Sequence, residues 1–300
     1  MSDHRDALDG TAFFVMLLLT ASWGFQQVMI KLAAADVSLV MQAAIRSISA
    51  IILLLVWARL RRVTLFARDG TLRPGIIAGL LFGAEFIFIY AGLGHTTASR
   101  MIVFIYLTPP LTALGLHWLV PGERMHPRQW LGVFISFAGL VLAFGEGFVA
   151  SGGATMIGDL CGVIAAVFWA ATTILVRASA LARVSASKTL FYQLAVSSVI
   201  LLLASRLMGE PGVLRLSPIA LASLAYQGVI VAFASYLAWF WLLRRYLAGR
   251  LAVFSFLAPM FGVVFGVLVL SEPLRPAFVA AALLVGAGIV LVNYTPVRSG

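Results

Sequence analysis

The chain of 300 residues is 62% hydrophobic and only 11% charged, with a mean hydropathy of +1.04. This composition excludes a water-soluble domain, because the apolar residues fall in runs of about 20, the length needed to cross a bilayer. The net charge of +10 does not indicate nucleic-acid binding, since the basic residues are distributed between the apolar runs instead of forming one patch.

Ten apolar runs predict ten transmembrane helices. Helices are required because every backbone group in lipid must be bonded internally, and runs this long exclude a barrel of short, alternating strands. Spans one to ten are predicted at residues 13–33, 37–58, 74–95, 98–119, 128–147, 156–177, 187–207, 217–241, 249–271 and 274–294. The fold class is therefore an all-α integral membrane protein without an extramembrane domain.

The two halves of the chain repeat each other. Glu123 matches Glu272 and Gly139 matches Gly288, both at an offset of 149 residues. Because each half holds five spans, an odd number, the second copy must enter the membrane upside down. Such inverted repeats are typical of secondary transporters, which bind substrate near the midplane between the halves. The prediction is a 5+5 inverted-topology repeat around a central cavity.

The distribution of basic residues predicts that both termini are cytoplasmic. With that orientation, 15 basic residues lie in cytoplasmic segments and 5 in external segments, which is the positive-inside pattern. Span one follows an acidic segment and is read as a retained helix, not a cleaved signal peptide. The predicted units are a tail at 1–12, a five-helix repeat at 13–147, a linker at 148–155, a second repeat at 156–294 and a tail at 295–300.

Two charged residues are predicted near the bilayer midplane, where ionisable groups are costly and often functional. Arg46 lies within span two and Glu85 within span three. Three interpretations stay open: the two residues form a structural ion pair, Glu85 is neutral and bonded to a neighbour, or Glu85 is a protonatable coupling site.

Trp23 and Trp169 occupy equivalent positions deep in spans one and six, although membrane tryptophans usually lie at the interface. Each shares a helix face with two polar residues, which predicts a cavity for a small amphipathic molecule; ordinary interhelical packing is the alternative. The predicted substrate-binding residues are Trp23, Gln26, Gln27, Arg46, Glu85, Phe86, Tyr90, Tyr106, Trp169, Thr172, Thr173, Gln227, Tyr236 and Trp239.

Prolines recur near the middle of spans four and nine, at Pro109, Pro110 and Pro259. Proline removes a backbone donor and kinks a helix, so these three residues are predicted hinges. The alternative is that proline is simply commoner in membrane helices.

Enzyme and metal signatures are missing from the sequence. The four histidines, His4, His95, His117 and His126, lie in different segments without HExxH spacing, and there is no nucleotide-binding glycine motif. No catalytic residue, metal or cofactor is therefore expected, and transport would depend on a substrate or ion gradient. The single cysteine, Cys161, excludes an intrachain disulfide.

The order of these motifs resembles the drug/metabolite transporter superfamily, and within it the EamA family. The matching residues are the pair Trp23–Gly24 in the first helix, Arg46 in the second, Pro109 in the fourth and Glu123 before the fifth. The second half departs from this pattern, because Ala170 replaces the glycine and Gln193 lies near the place of Arg46.

Within the family the chain looks most like the YddG-type amino-acid exporters of the bacterial inner membrane. That resemblance implies a cavity lined by helices 1, 3, 4, 6, 8 and 9, with helices 5 and 10 peripheral. It implies export of aromatic and other amino acids. If either residue faces the cavity, Arg46 or Lys31 would hold the carboxylate, and the repeat architecture predicts alternating access. The expected partners are a small-molecule substrate and the lipid bilayer, without nucleic acid. The oligomeric state stays open, with a monomer expected.

Three alternatives remain. The first is an exporter of cationic drugs or other metabolites, such as nucleotide precursors, with Glu85 as the counter-charge. The second is an intramembrane lipid-modifying enzyme, which would need a nucleophile or general base that the sequence does not show. The third is a passive channel, which would conduct too fast for a carrier and show no counterflow.

Overall fold

The computed structural model describes residues 8–93, 95–96, 98–145, 153–271 and 276–294, and this part of the chain consists of helices joined by loops, without a strand. Nine of its helices are long and apolar enough to cross a membrane, and the tenth, Ala277–Asn293, is a shorter apolar helix. They coincide with the ten predicted spans. The C-terminal tail, Glu272, most of the predicted linker and most of the N-terminal tail lie outside the described residues.

Seven spans are single helices. Spans one, two, three, five, six, seven and ten are α1 (Gly10–Ala33), α2 (Leu39–Leu60), α3 (Leu72–Leu93), α6 (Pro127–Phe144), α7 (Gly153–Ala178), α8 (Ala186–Leu207) and α13 (Ala277–Asn293). Three spans are interrupted. Span four is α4 (Ala98–Ile105) and α5 (Thr108–Leu119), span eight is α9 (Pro218–Ala225), a π-helical segment (Tyr226–Ser235) and α10 (Tyr236–Leu243), and span nine is α11 (Ala248–Phe254) and α12 (Leu257–Leu270).

A polar cap, which the apolar pattern does not register, sets the start of α1. The Asp9 carboxylate accepts a hydrogen bond from the Ala12 backbone N–H at 2.9 Å, so the helix begins at Gly10 instead of the predicted residue 13. Ser185 caps α8 in the same way, accepting from the Lys188 N–H at 3.2 Å. The predicted start of span one is therefore three residues late, whereas that of span seven, residue 187, is only one residue late.

Spans four and nine break next to their prolines, as the sequence predicts. Pro109 lies in the first turn of α5 and Pro259 in the first turn of α12. In that position the missing proline N–H has no intrahelical partner to lose, so the residue favours the start of a new helix. The helical pattern is interrupted just before each proline, between α4 and α5 and between α11 and α12.

The fifth and tenth spans pack tightly on each other at the periphery. A Cβ built on Gly132 would lie 2.7 Å from the Gly288 carbonyl oxygen, and the Ser136 hydroxyl donates to the Val285 carbonyl at 3.3 Å. Small residues allow this close approach within one chain. Gly286, on the same helix as Gly288, has no atom within 4 Å of such a Cβ and so does not take part in this contact.

Charged residues tie the loops together at the end of the bundle that holds Asp9 and Tyr294, here named the terminal end. Glu123 is 3% exposed and accepts from Arg177 and from the backbone N–H groups of Ala248 (3.1 Å) and Gly249 (3.4 Å). This carboxylate therefore connects the loop before α6 to the end of α7 and the start of α11.

A second pair at the terminal end joins the loop after α2 to α8. Lys188, 2% exposed, donates to the Asp69 carboxylate at 2.8 Å and to the Ala67 carbonyl at 2.7 Å. The hydrogen bond from Lys188 lowers the pKa of Asp69 to about 2, so this carboxylate stays charged at neutral pH.

At the opposite end, the loop after α8 docks on the start of α2. Glu210 accepts hydrogen bonds from the Ser38 hydroxyl at 3.0 Å and from the Val40 and Met41 N–H groups, both at 3.1 Å. A carboxylate from the second half of the chain thus satisfies the N-terminal donors of a helix in the first half.

Candidate functional site

A cavity of about 260 Å³ lies between the helices at mid-bundle depth. Its size is close to the lower end of the range for ligand pockets, about 300 Å³, and suits one small molecule. The lining residues come from eight of the ten spans, and none comes from α6 or α13. They are Trp23, Gln26, Gln27, Ile30, Arg46, Phe82, Glu85, Phe86, Ile89, Tyr90, Leu93, Met101, Ile102, Ile105, Tyr106, Trp169, Thr172, Thr173, Gln193, Tyr236, Trp239, Phe240, Ala258 and Pro259.

Aromatic rings from both halves of the chain form much of the cavity wall. Trp23 meets Trp239 edge to face with ring centroids 5.9 Å apart, and Tyr106 meets Trp169 at the same distance. The Trp23 Nε1 donates to the Ser235 hydroxyl at 2.9 Å, which satisfies its polar edge and fixes the ring. The two tryptophans that the sequence predicts therefore face the cavity.

The polar residues beside these tryptophans differ in how they are satisfied. The hydroxyls of Thr172 and Thr173 donate to carbonyls of their own helix, at 2.8 and 3.3 Å, and so offer a ligand only acceptor capacity. Among the described residues, Gln26 and Gln27 form no side-chain hydrogen bond, so their amides are available to a molecule in the cavity.

The two charged residues predicted at depth both line the cavity, but they do not form an ion pair with each other in the described structure. Arg46 is 1% exposed, and its guanidinium lies 4.2 Å from the centre of the Phe86 ring. The Nε and Nη2 atoms of Arg46 and the Oε2 atom of Glu85 have no hydrogen-bond partner among the described residues. The structural ion pair considered from the sequence is therefore excluded for this conformation.

The structure adds Gln193 to the site. This residue is 2% exposed, lines the cavity, and its Nε2 has no hydrogen-bond partner within the described part of the chain. The repeat carried the signal, since Gln193 departs from the family pattern near the position equivalent to Arg46. An amide in one half thus corresponds to a guanidinium in the other.

One residue predicted to line the cavity lies outside it. Gln227 does not line the cavity, because its amide donates to the Gln42 side chain at 2.8 Å and to the Ser223 hydroxyl at 3.0 Å, inside the packed interface with α2. Lys31, an alternative carboxylate ligand, does not line the cavity either. Of the predicted hinge residues, only Pro259 reaches the cavity wall.

This arrangement can bind a small molecule through aromatic contacts, amide groups, a guanidinium and a carboxyl group. Within the described residues, no group of histidine, cysteine and acidic side chains could hold a metal ion. The chemistry of the lining is that of a binding site.

Comparison with known proteins identifies the family. The chain matches the EamA-like transporter family over residues 10–145 and again over residues 156–294. Similar proteins include YoaV of Bacillus subtilis, 22% identical over 93% of this chain and 96% of its own length. YvbV of the same organism is 27% identical over 93% of this chain and 90% of its own length. Both are described as uncharacterized transporters.

An archaeal protein and a solved structure extend the comparison. An uncharacterized transporter of Archaeoglobus fulgidus is 28% identical over 65% of this chain and 66% of its own length. A protein of known crystal structure superposes with a TM-score of 0.81 over 94% of this chain and 98% of its own, at 22% identity, and shows the same fold. The chain belongs to the EamA-like transporter family and is a multi-pass membrane transporter.

Proposed function

We propose that this protein is a secondary transporter that exports small metabolites, with aromatic amino acids as preferred substrates. The observation that carries the proposal is the mid-bundle cavity, whose aromatic wall combines Trp23 and Tyr106 from the first half with Trp169 and Trp239 from the second. Such rings stack on an aromatic side chain, and the neighbouring amides and charges match its polar end.

The proposed transporter lies in the inner membrane of a bacterial cell. It is a 5+5 inverted repeat with both termini in the cytoplasm. The family match to two consecutive segments, 10–145 and 156–294, supports the repeat. The excess of basic residues in the segments at the terminal end supports the orientation.

Transport would proceed by alternating access to the cavity. The cavity wall reaches Leu93 and Met101, close to the end opposite the termini, whereas the Glu123–Arg177 pair ties loops together at the terminal end. The Arg100–Asp159 pair ties helices together at the opposite end, so alternating access would open the contacts of one end while those of the other stay closed. The helix breaks beside Pro109 and Pro259 are the positions where the bundle would bend between the two conformations.

A second candidate function is the export of cationic drugs or metabolites. The buried Glu85 carboxylate, with one oxygen unpartnered among the described residues, favours it as the counter-charge for a cation. Under this alternative, Glu85→Ala abolishes efflux of cations and spares efflux of amino acids.

Counterflow in proteoliposomes tests the main proposal. Vesicles are loaded with unlabelled phenylalanine or tryptophan, and uptake of the labelled compound is followed. We expect transient accumulation with the wild type and much less with Trp169→Ala, while Trp118→Ala, which removes a 73% exposed ring outside the cavity, behaves like the wild type. No accumulation by correctly folded wild-type protein would refute the aromatic assignment, and the family membership would stand.

A further inference from the structure

Three buried side chains on the cavity wall have polar atoms without a hydrogen-bond partner in the described part of the chain. Arg46, Glu85 and Gln193 are 1%, 6% and 2% exposed, and each has at least one polar atom without a hydrogen-bond partner in the described chain. All three line the same cavity. Because more than about 90% of buried polar groups in native proteins are paired, three unsatisfied groups around one space require an explanation.

The two charges are the most costly of the three. A buried ion normally has a counter-ion or a full set of hydrogen bonds, particularly within a membrane. Arg46 has the Phe86 ring at 4.2 Å, which attracts a cation but accepts no hydrogen bond from Nε or Nη2. Glu85 lies next to Phe86 in the chain, yet it does not pair with Arg46 in the described structure. Each charge thus stays available to a ligand.

The free hydrogen-bonding groups divide by type. Arg46 and Gln193 contribute N–H donors, and a guanidinium binds a carboxylate through two parallel hydrogen bonds. Glu85 contributes an acceptor oxygen, which suits an ammonium group. A single ligand satisfies both sets only if it carries a carboxylate and an ammonium group together.

We infer that this cavity recognises the zwitterionic backbone of an α-amino acid, with Arg46 binding the carboxylate, Gln193 assisting it, and Glu85 binding the ammonium group. This inference rests on the proposed function and assigns to each of these side chains the substrate group that it binds. The aromatic wall then holds the substrate side chain, so charge complementarity selects the amino-acid class and the rings select among its members.

This assignment predicts discrimination against ligands with one charge. An aromatic amine has no carboxylate and leaves Arg46 buried without a counter-ion. An aromatic acid has no ammonium group and leaves Glu85 buried without a counter-ion. Leaving one member of a buried charge pair unmatched typically weakens binding by about 30-fold or more. An aromatic cavity without charge recognition would bind all such ligands with similar affinity.

Ligand-induced thermal stabilisation of the purified protein measures this discrimination without requiring transport. The probes are phenylalanine, phenethylamine, which lacks the carboxylate, and 3-phenylpropionate, which lacks the ammonium group. We expect phenylalanine to bind at least about 30-fold more tightly than either analogue. Equal affinity for the three compounds, or preference for one of the analogues, would overturn the inference.

Two variants assign the charges. Arg46→Gln should weaken phenylalanine binding by about 30-fold or more, so that phenylalanine no longer binds more tightly than phenethylamine. Glu85→Gln should also weaken phenylalanine binding, so that phenylalanine no longer binds more tightly than 3-phenylpropionate. Arg206→Gln, which removes an exposed arginine at the end of α8, should bind all three probes like the wild type. Each variant is first shown to unfold cooperatively without ligand. If a variant does not fold, the comparison of the three probes on the wild-type protein still tests the inference.

The outcomes separate this inference from the proposed function. Selective phenylalanine binding without counterflow would refute the transport proposal and support the zwitterion site. Counterflow of phenylalanine that Arg46→Gln and Glu85→Gln leave unchanged, with phenethylamine and 3-phenylpropionate competing equally well, would refute the zwitterion site and support the transport proposal.

Discussion

At the scale of single residues, polar side chains within the spans fall into two groups. One group, which includes Arg46 and Gln193, faces the cavity with unsatisfied atoms. The other, which includes Gln227 and Gln42, is satisfied by contacts between neighbouring helices. Of these two groups, only the first has polar atoms free to form hydrogen bonds with a ligand, because the second already has its partners.

Gln227→Ala tests this division. The substitution removes hydrogen bonds to Gln42 and Ser223, and interhelical hydrogen bonds in membranes are worth about 1 kcal/mol, so stability should fall by about that amount. Thermal unfolding in detergent measures the loss. Substrate affinity in counterflow should match the wild type, because Gln227 does not line the cavity. A large fall in affinity with unchanged stability would place Gln227 in the binding site after all.

The same residues show what the sequence can predict about a site. The pairing of Trp23 with Trp169 was predictable, because the repeat places both at equivalent depth. The error at Gln227 arose because a polar residue in a span can be satisfied by a ligand or by another helix. Its partner, Gln42, lies 185 residues away, and that contact exists only after the two halves pack.

At the scale of helices, α1 and α12 approach closely at the Trp23–Gly24 pair. A Cβ built on Gly24 would lie 2.6 Å from the Phe261 Cβ and 2.7 Å from the Ala258 carbonyl oxygen. The glycine thus permits a contact between the two halves directly beside the cavity residues Trp23 and Ala258.

Gly24→Ala should separate α1 from α12. Overpacking of this kind costs about 1–3 kcal/mol, and the shift of Trp23 should also weaken substrate binding. The matched control is Gly286→Ala in α13, where an added Cβ meets nothing within 4 Å. Thermal unfolding and counterflow of both variants check the prediction. Equal behaviour of the two variants would contradict the close contact.

The Glu123–Arg177 pair makes a second prediction at this scale. Both side chains are nearly fully buried, and Glu123 also accepts from the N-terminal N–H groups of α11. Glu123→Gln should cost about 3–5 kcal/mol, because it leaves the Arg177 charge without its carboxylate. Arg124→Gln removes an exposed neighbouring charge and should change stability by less than about 0.5 kcal/mol. Equal unfolding temperatures for the two variants would show that the pair contributes little.

At the scale of the whole molecule, the sequence predicts the number and order of the spans well and their interruptions only in part. Long apolar runs are sufficient to locate ten helices, and Pro109 and Pro259 locate two of the breaks. The π-helical segment Tyr226–Ser235 has no such marker, since its residues also suit an ordinary apolar helix. Its irregular hydrogen bonding depends on the packing of spans one and two against it, which sequence patterns do not contain.

The central claim is that one cavity serves both faces of the membrane in turn. Cysteine accessibility at Gln27, an exposed residue of the cavity wall, tests it most directly. The variant carries Gln27→Cys and Cys161→Ser, so that only one thiol is present. A membrane-impermeant thiol reagent is applied separately to vesicles of each orientation.

Alternating access predicts labelling of the thiol introduced by Gln27→Cys from both faces of the membrane, with phenylalanine protecting it in each case. Labelling from one face only, under conditions where the protein carries out counterflow, would contradict alternating access through this cavity.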